Sequence, residues 1–377
     1  MHILVTVPWG ERLGGAESML QGILDGAAGA GHRMDLVFFE DGRWPQELAA
    51  AGLDVEVIRA GRLRDVHRWI ATVIRLARVF RRRRPDLILN WSPKTQLYGS
   101  PAAVLAGMRS RVIWWQHGIP APAHWMDRLA SLLPAVAVGC SSHVAARAQA
   151  RLFPSRRTFV VAPGAPSPQP GSEEVLPALP TDVPIVGIVG RLQPWKGQHK
   201  LLESQALLRR RGQELHLVIV GGDAYGLSTD YAESLPSLIG ELGLSEAVTM
   251  TGQVPDAGPY IERMDVLVNA SADEPFGIVL LEGMARGVAV VAVDSAGPAE
   301  IIEDRRTGLL ARSGEPEDLA EPLGALLGSA ELREGIARAG RERFLAEFTN
   351  AAMQRRFFER LAAVRAGKTA ADTMGAQ

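Results

Sequence analysis

Cysteine is nearly absent from this chain. A single residue, Cys140, stands among 377, which excludes a disulfide framework and fits a reducing compartment. Lysine is scarce as well: Lys94, Lys196, Lys200 and Lys368 stand against thirty-seven arginines. No apolar run reaches the roughly 20 residues that crossing a membrane requires. The opening MHILVTVPWG reads directly as a strand, with no basic leader and no cleavage site, so a cytoplasmic location is expected. There is no repeat of solenoid period, no metal-ligand spacing and no nucleic-acid-binding motif. A complete GxGxxG fingerprint with its downstream acid is also missing. LVIVGGDAYG has glycines after a strand and nothing more.

What is present is a folded α/β chain. Hydrophobic residues make up 47% and charged residues 22%, and the length suits two domains better than one core. Short apolar runs alternate with helical stretches throughout. HILVTV, MDLVFF, VEVIRA, DLILNW, RVIWWQ and AVAVGC mark the first half; PIVGIVG, LHLVIVGG, VTMTG, VLVNAS and VAVVAV mark the second. Runs of this kind, apolar on both faces, predict buried parallel strands in doubly wound sheets. The sequence therefore predicts a Rossmann-like domain over 1–168, a Pro/Gly/Ser-rich linker over 169–183, and a second Rossmann-like domain over 184–348. A C-terminal helix over 349–365 is expected to pack back toward the first domain, and a flexible tail over 366–377 to follow. Charge is uneven. Residues 1–165 carry twenty-one Lys and Arg against twelve Asp and Glu; the remainder carries twenty against thirty. An anionic partner for the basic half and mutual attraction of the halves both account for this.

In open α/β sheets, ligands bind beyond the carboxyl ends of the strands, so residues just after each run are the candidates. After VLVNAS comes DEPFG, then IVLLEGMARG, a helix expected to start near Gly277. Its free amides and positive dipole end suit a phosphate. Glu274 sits on the turn, and Glu282 lies more than one turn into the helix, where a carboxylate can accept from ribose hydroxyls. Alone, two such glutamates read more readily as ordinary surface residues. After PIVGIVG, the loop GRLQPWKG holds Arg191 and Lys196, a fork and a point charge suited to a diphosphate. Gly14 and Gly15 follow the first strand and permit close backbone approach. His117 directly follows RVIWWQ, where either a structural or a sugar-binding role fits.

Together GRLQPWKG, GGDAYG, SADEPFGIVLLEGMARG and AVDSAGPAEII with TGLL resemble the retaining nucleotide-sugar transferases of glycosyltransferase family 4 over nearly the whole chain. The resemblance implies the GT-B fold, two facing Rossmann-like domains of doubly wound parallel sheet with an interdomain cleft. It implies a sugar moved from a UDP- or GDP-linked donor to a hydroxyl acceptor, in bacterial glycan or glycoconjugate assembly, with no metal and no separate cofactor. By that resemblance His117, Arg191, Lys196 and Glu274 are catalytic. His117 lines the donor sugar, Arg191 and Lys196 neutralise the leaving diphosphate, and Glu274 holds sugar hydroxyls. Gly14, Gly15, Val254, Phe276, Gly277, Ile278, Val279 and Glu282 bind the donor, with Val254 near the base and Glu282 on the ribose. An epimerase or phosphorylase on the same fold, or a non-catalytic sugar-nucleotide-binding subunit, are the alternatives.

The acceptor is expected to be a sugar or a lipid-linked sugar. Trp9, Trp91 and Trp125 fall near strand ends, where they can stack on it. Residues 65–84 carry an apolar stripe at 66, 69, 70, 73, 74, 77 and 80, read as the face that covers the first sheet. The basic stretch 75–84 is either a dipole-favoured helix end or a peripheral contact with the inner face of a membrane.

Overall fold

The computed structural model describes residues 1–12, 14–168, 179–223, 226 and 228–367. Most of the expected linker, part of GGDAYG and most of the expected tail lie outside the described residues. The chain divides into two units, one of Met1–Pro163 with the chain from Ala351 onward, the other of Gly164–Asn350.

The first unit is built on a parallel sheet of seven strands in the order β3-β2-β1-β4-β5-β6-β7. These are β1 His2–Val7, β2 Arg33–Phe38, β3 Asp54–Val57, β4 Leu87–Asn90, β5 Val112–Gln116, β6 Ala137–Cys140 and β7 Thr158–Val160. The second unit has six, in the order β10-β9-β8-β11-β12-β13. Here β8 is Ile185–Val189, β9 His216–Val220, β10 Val248–Gly252, β11 Val266–Asn269, β12 Ala289–Val293 and β13 Leu309–Ala311. Both sheets reverse strand order once, between β1 and β4 and between β8 and β11. At such a switch point the connections leave in opposite directions and open a crevice at the carboxyl ends.

The strands are central because both of their faces are apolar: Ile3, Leu4 and Val5, like Val266, Leu267 and Val268, are fully buried. Helices cover each face. In the first unit, Gly15–Ala27, Arg43–Ala50 and Asn350–Arg365 pack on one side. Val66–Arg83, Pro93–Leu105, Trp125–Leu132 and His143–Leu152 pack on the other. Local chemistry sets where helices begin. Asp65 accepts from the Arg68 amide, Ser92 forms a reciprocal capping box with Thr95, and Ser142 accepts from the Ala145 amide.

The helix Val66–Arg83 corrects one expectation. Its buried residues are Thr72, Val73, Leu76, Ala77, Val79 and Phe80, whereas Val66, Ile70 and Ile74 of the expected core stripe face solvent. At 3.6 residues per turn the stripe is too wide for one contact, and the face containing Leu76 and Phe80 takes the sheet. Arginines at its end are tied into the unit's own ion pairs. Arg83 is nearly buried and bridges to Asp35, Asp54 and Glu56, and Arg82 reaches Glu56 at 2.6 Å. Arg75 and Arg78 make no ion pair or hydrogen bond among the described residues.

The C-terminal helix belongs to the first unit's core. Phe357 packs against Trp115 with ring centroids 5.4 Å apart, and Gln354 donates to the Gly22 carbonyl at 2.6 Å. Arg365 reaches Asp86 at 2.8 Å. Phe357→Ala is expected to destabilise the first unit by about 3–5 kcal/mol, the usual result of emptying a buried aromatic site. A drop in its urea midpoint with the second unit's transition unmoved is the readout.

Candidate active site

The second unit's switch point brings Lys196 and Glu274 together. Lys196 lies in the loop after β8 and Glu274 in the turn after β11, strands paired in register from Val186↔Val266 to Ile188↔Val268. Lys196 Nζ donates to Glu274 Oε2 at 2.6 Å, and both side chains are largely shielded from water. Asn269, the buried last residue of β11, donates its side-chain amide to the same oxygen at 3.3 Å. It also accepts from the Ser271 amide at 3.1 Å, which fixes its orientation. Lys196 Nζ lies over the Trp195 ring, 4.1 Å from its centroid, a cation–π contact that steadies the ammonium.

Two glycines permit this approach. Gly197 has φ +77°, and a Cβ there would meet the Ala270 carbonyl oxygen at 2.5 Å, so the lysine loop lies directly against the end of β11. Gly277 has φ +99° and caps the helix Ile278–Ala285; only glycine adopts that backbone without strain. The amides at the start of this helix have no carbonyl of their own helix to reach. Behind the turn, the Gly297 amide donates to the Glu274 carbonyl at 3.0 Å, and Phe276 is buried. Arg191 is half-buried in the lysine loop. Its carbonyl accepts from Gln198 at 2.9 Å, and its guanidinium makes no ion pair or hydrogen bond among the described residues.

Glu282 sits apart from this pair. It is half-buried on the helix Ile278–Ala285, and burial pushes its carboxyl up to about 7, with Asp256 adding to the rise and Arg286 opposing it. Asp256 belongs to the loop after β10 that carries half-buried Val254 and accepts from the Gly258 amide at 2.8 Å. Glu282 and the Val254 loop are therefore neighbours. Ends of β8, β9 and β10 are tied by backbone bonds: Leu192 N to Gly222 O at 3.0 Å and Gly221 N to Gly252 O at 3.0 Å.

The first unit gathers His117, Gly14 and Gly15 at its own switch point. The His117 ring stands edge-on to Trp91, centroids 4.7 Å apart, and its Nδ1 lies 3.5 Å from Ser141 Oγ. Trp91 Nε1 donates to the Ala16 carbonyl at 3.1 Å, tying the β4 end to the helix that starts at Gly15. Burial pushes the His117 imidazole down to about 3, and the Trp91 backbone offsets only part of this; the ring is neutral at physiological pH. Its Nε2 is buried with no hydrogen bond of good geometry among the described residues.

Trp91, expected at the acceptor, is instead fully buried, stacked on Trp115 at 5.3 Å. Its indole is held by β4 and β5 and supports His117. Trp125 is exposed and Trp9 half-buried. Sequence reading missed Asn269 and Ser141. Each is a polar residue at or just after the end of an apolar strand, a signal present in VLVNAS and AVGCSS. Among the described residues, no group of three or more His, Cys, Asp or Glu side chains is placed to hold a metal.

The raised carboxyl of Glu282 has a consequence for stability. Its folded-state pKa of about 7 lies above the ordinary glutamate value of 4.5, so the native state binds the proton more tightly than the unfolded chain. Its contribution is most favourable below the unfolded value and is lost as pH rises through the folded one. Glu282→Gln is expected to be more stable than the parent above pH ~7, by at most about 3 kcal/mol, with the gap closing toward pH ~4.5. Denaturation midpoints of the two proteins against pH measure it; a gap independent of pH refutes it.

Two family models match the chain: one described as Glycosyltransferase Family 4 over residues 13–169, the other as Glycosyl transferases group 1 over residues 175–343. A D-inositol 3-phosphate glycosyltransferase of Nocardia farcinica is 38% identical over 194 residues, 49% of this chain and 42% of the relative. The lipopolysaccharide core biosynthesis glycosyltransferase LpsE of Rhizobium meliloti is 32% identical over 183 residues, 48% of this chain and 51% of the relative. The chain thus spans about half the length of these curated relatives. Among solved structures, Anabaena HepE in complex with UDP matches with TM-score 0.82 at 24% identity, covering 96% of this chain and 100% of that one. The lipopolysaccharide outer core galactosyltransferase WaaB matches with TM-score 0.70 at 18% identity, covering 96% and 99%. With one model matched in each half and the GT-B architecture shared over nearly its whole length, the chain belongs to the glycosyltransferases of the family 4 and group 1 type.

Proposed function

We propose that the protein transfers a sugar, with retention of configuration, from a nucleoside-diphosphate sugar to a hydroxyl acceptor in bacterial glycan or glycoconjugate assembly. The observation that carries this reading is the Lys196–Glu274 pair at 2.6 Å, set at a switch point beside a helix start. A cation and free amides there suit a diphosphate, and a carboxylate within 3 Å of the cation suits the sugar attached to it.

In this reading the bond between the anomeric carbon and the diphosphate oxygen breaks. The acceptor oxygen bonds to that carbon on the same face, and its proton passes to the leaving phosphate oxygen. Negative charge grows on the diphosphate, and Lys196, Arg191 and the amides of Gly277, Ile278 and Val279 stabilise it where it forms. Those cations supply what a metal would otherwise supply, so the reaction is proposed to run without one. Glu274 holds donor hydroxyls. Glu282 and the Val254 loop take the nucleoside, with the ribose hydroxyls donating to the Glu282 carboxylate. His117, neutral at working pH, serves as a hydrogen-bonding group rather than a proton source. The first donor to try is UDP-linked, because HepE was solved in complex with UDP and with UDP-glucose.

Lys196→Ala and Glu274→Ala are each expected to lower transfer at least about 100-fold, the scale of losing one group that stabilises developing charge. Parental turnover in Lys196→Ala overturns the diphosphate assignment. Glu282→Ala is expected to weaken donor binding about tenfold with a smaller effect on kcat, as losing hydrogen bonds made equally in ground and transition states does. Nucleoside diphosphates at about 100 times their Kd are expected to stabilise the protein by about 2.7 kcal/mol. That shift should survive a chelator; its disappearance on chelation refutes metal independence.

A further inference from the structure

The second helical layer of the first unit is almost devoid of acid. Residues 66–163, which supply this layer and the strands β4–β7 beneath it, contain fifteen Lys and Arg and only two carboxylates, Asp86 and Asp127. Both are engaged: Asp86 with the His2 amide and Arg365, Asp127 with Gln116 and His124. The helices Val66–Arg83, Pro93–Leu105 and Trp125–Leu132 lie side by side in this layer. On the outside of the first, Val66, Ile70 and Ile74 are 60%, 44% and 39% exposed. The last of the three exposes Trp125, Leu129 and Leu132. Interleaved with the first stripe are Arg75 and Arg78, exposed and without an ion pair or hydrogen bond among the described residues. Nearby carboxylates are already taken, Asp65 by Arg68 and Glu56 by Arg82 and Arg83.

We propose that this helical face is a docking surface for an anionic lipid bilayer. The charge argues for an anionic partner, because one face of the unit presents guanidinium groups with no free acid among them. The aliphatic side chains decide which one. Isoleucine and leucine beside arginine gain free energy by entering the acyl boundary while the cations meet headgroup phosphates, and Trp125 suits the interface. A nucleic acid would leave those aliphatic groups without a partner. No helix among the described residues is long and apolar enough to cross a membrane, so the contact lies on the surface. It extends well beyond the basic stretch 75–84, and Arg82 and Arg83 of that stretch are largely engaged within the fold.

The inference does not depend on the transferase reading, and its test needs neither donor nor acceptor. The full chain is expected to co-sediment with phosphatidylglycerol vesicles, less so as salt rises, and not with pure phosphatidylcholine vesicles. Arg75→Gln with Arg78→Gln should weaken binding about 25-fold, about fivefold for each cation near the surface. Ile70→Gln with Ile74→Gln should weaken it at least about tenfold. Arg210→Gln in the second unit should change nothing. All five positions point outward, so unchanged thermal melting confirms that the variants fold. Failure to bind phosphatidylglycerol vesicles, or binding that both double variants retain, overturns the proposal. So does tighter binding to single-stranded RNA that the same variants abolish, which assigns the face to nucleic acid.

Discussion

An all-parallel sheet delivers the carboxyl end of every strand to the same edge, and each helix that follows starts there with unpaired amides. The chemistry of both units depends on this constraint. In the second unit it sets the lysine loop after β8 beside the acidic turn after β11, although 78 residues separate Lys196 from Glu274. In the first it sets His117 after β5 beside Trp91 after β4, and Trp91 in turn beside the helix that begins at Gly15. Neither arrangement needs a special device beyond glycines where backbones approach. Sheet order does the gathering, and reversal of that order at β1/β4 and β8/β11 leaves room for what is gathered.

The Lys196–Glu274 pair is held more tightly than a surface ion pair. Asn269 shares the carboxylate oxygen, Trp195 lies under the ammonium, and both charged side chains are mostly out of water. Removing one partner from such a pair leaves a poorly solvated charge, whereas in the intact pair each charge compensates the other. In the proposed reaction a diphosphate competes with Glu274 for Lys196 and the sugar hydroxyls compete with Lys196 for Glu274. Each half of the donor thus replaces the contact that the other removes. Glu282 works by a different rule. Arg286 offsets only part of its burial, so its carboxyl rises to about 7, and hydroxyl donors from a ligand favour its ionised form.

Much of this was legible in the sequence. Eleven apolar runs correspond to strands from β1 to β6 and from β8 to β12, because burial on both faces writes continuous apolar segments. The two strands without a marked run, β7 and β13, are three residues each and lie at sheet edges, where a short TFV or LLA carries little signal. Lys196 and Glu274 were legible as residue types after strands, and their mutual contact was not, since pairing of β8 with β11 is a long-range property. Asn269 was overlooked because one polar residue closing an apolar strand looks like a boundary. Trp91 was misplaced for a related reason: position after a strand suggests a ligand, but position gives no indication of which way a side chain points.

The helix Val66–Arg83 shows how a sequence pattern can divide between two tasks. Its apolar residues are too numerous for one face, and its arginines too numerous for one kind of partner. Phe80 and Leu76 go to the sheet, and Arg83 follows them inward toward Asp35. Burial alone would raise the Asp35 carboxyl, yet hydrogen bonds from Arg33, His2 and Arg83 outweigh it and hold the group below its usual value. That cluster consumes the acids of β2 and β3 and fixes the end of the helix. What remains outside, Ile70, Ile74, Arg75 and Arg78, is exposed to solvent. A soluble surface ordinarily mixes charges of both signs, because single-signed fields repel themselves. An acid-poor helical layer is therefore a cost to the isolated fold, one that the proposed anionic bilayer would offset.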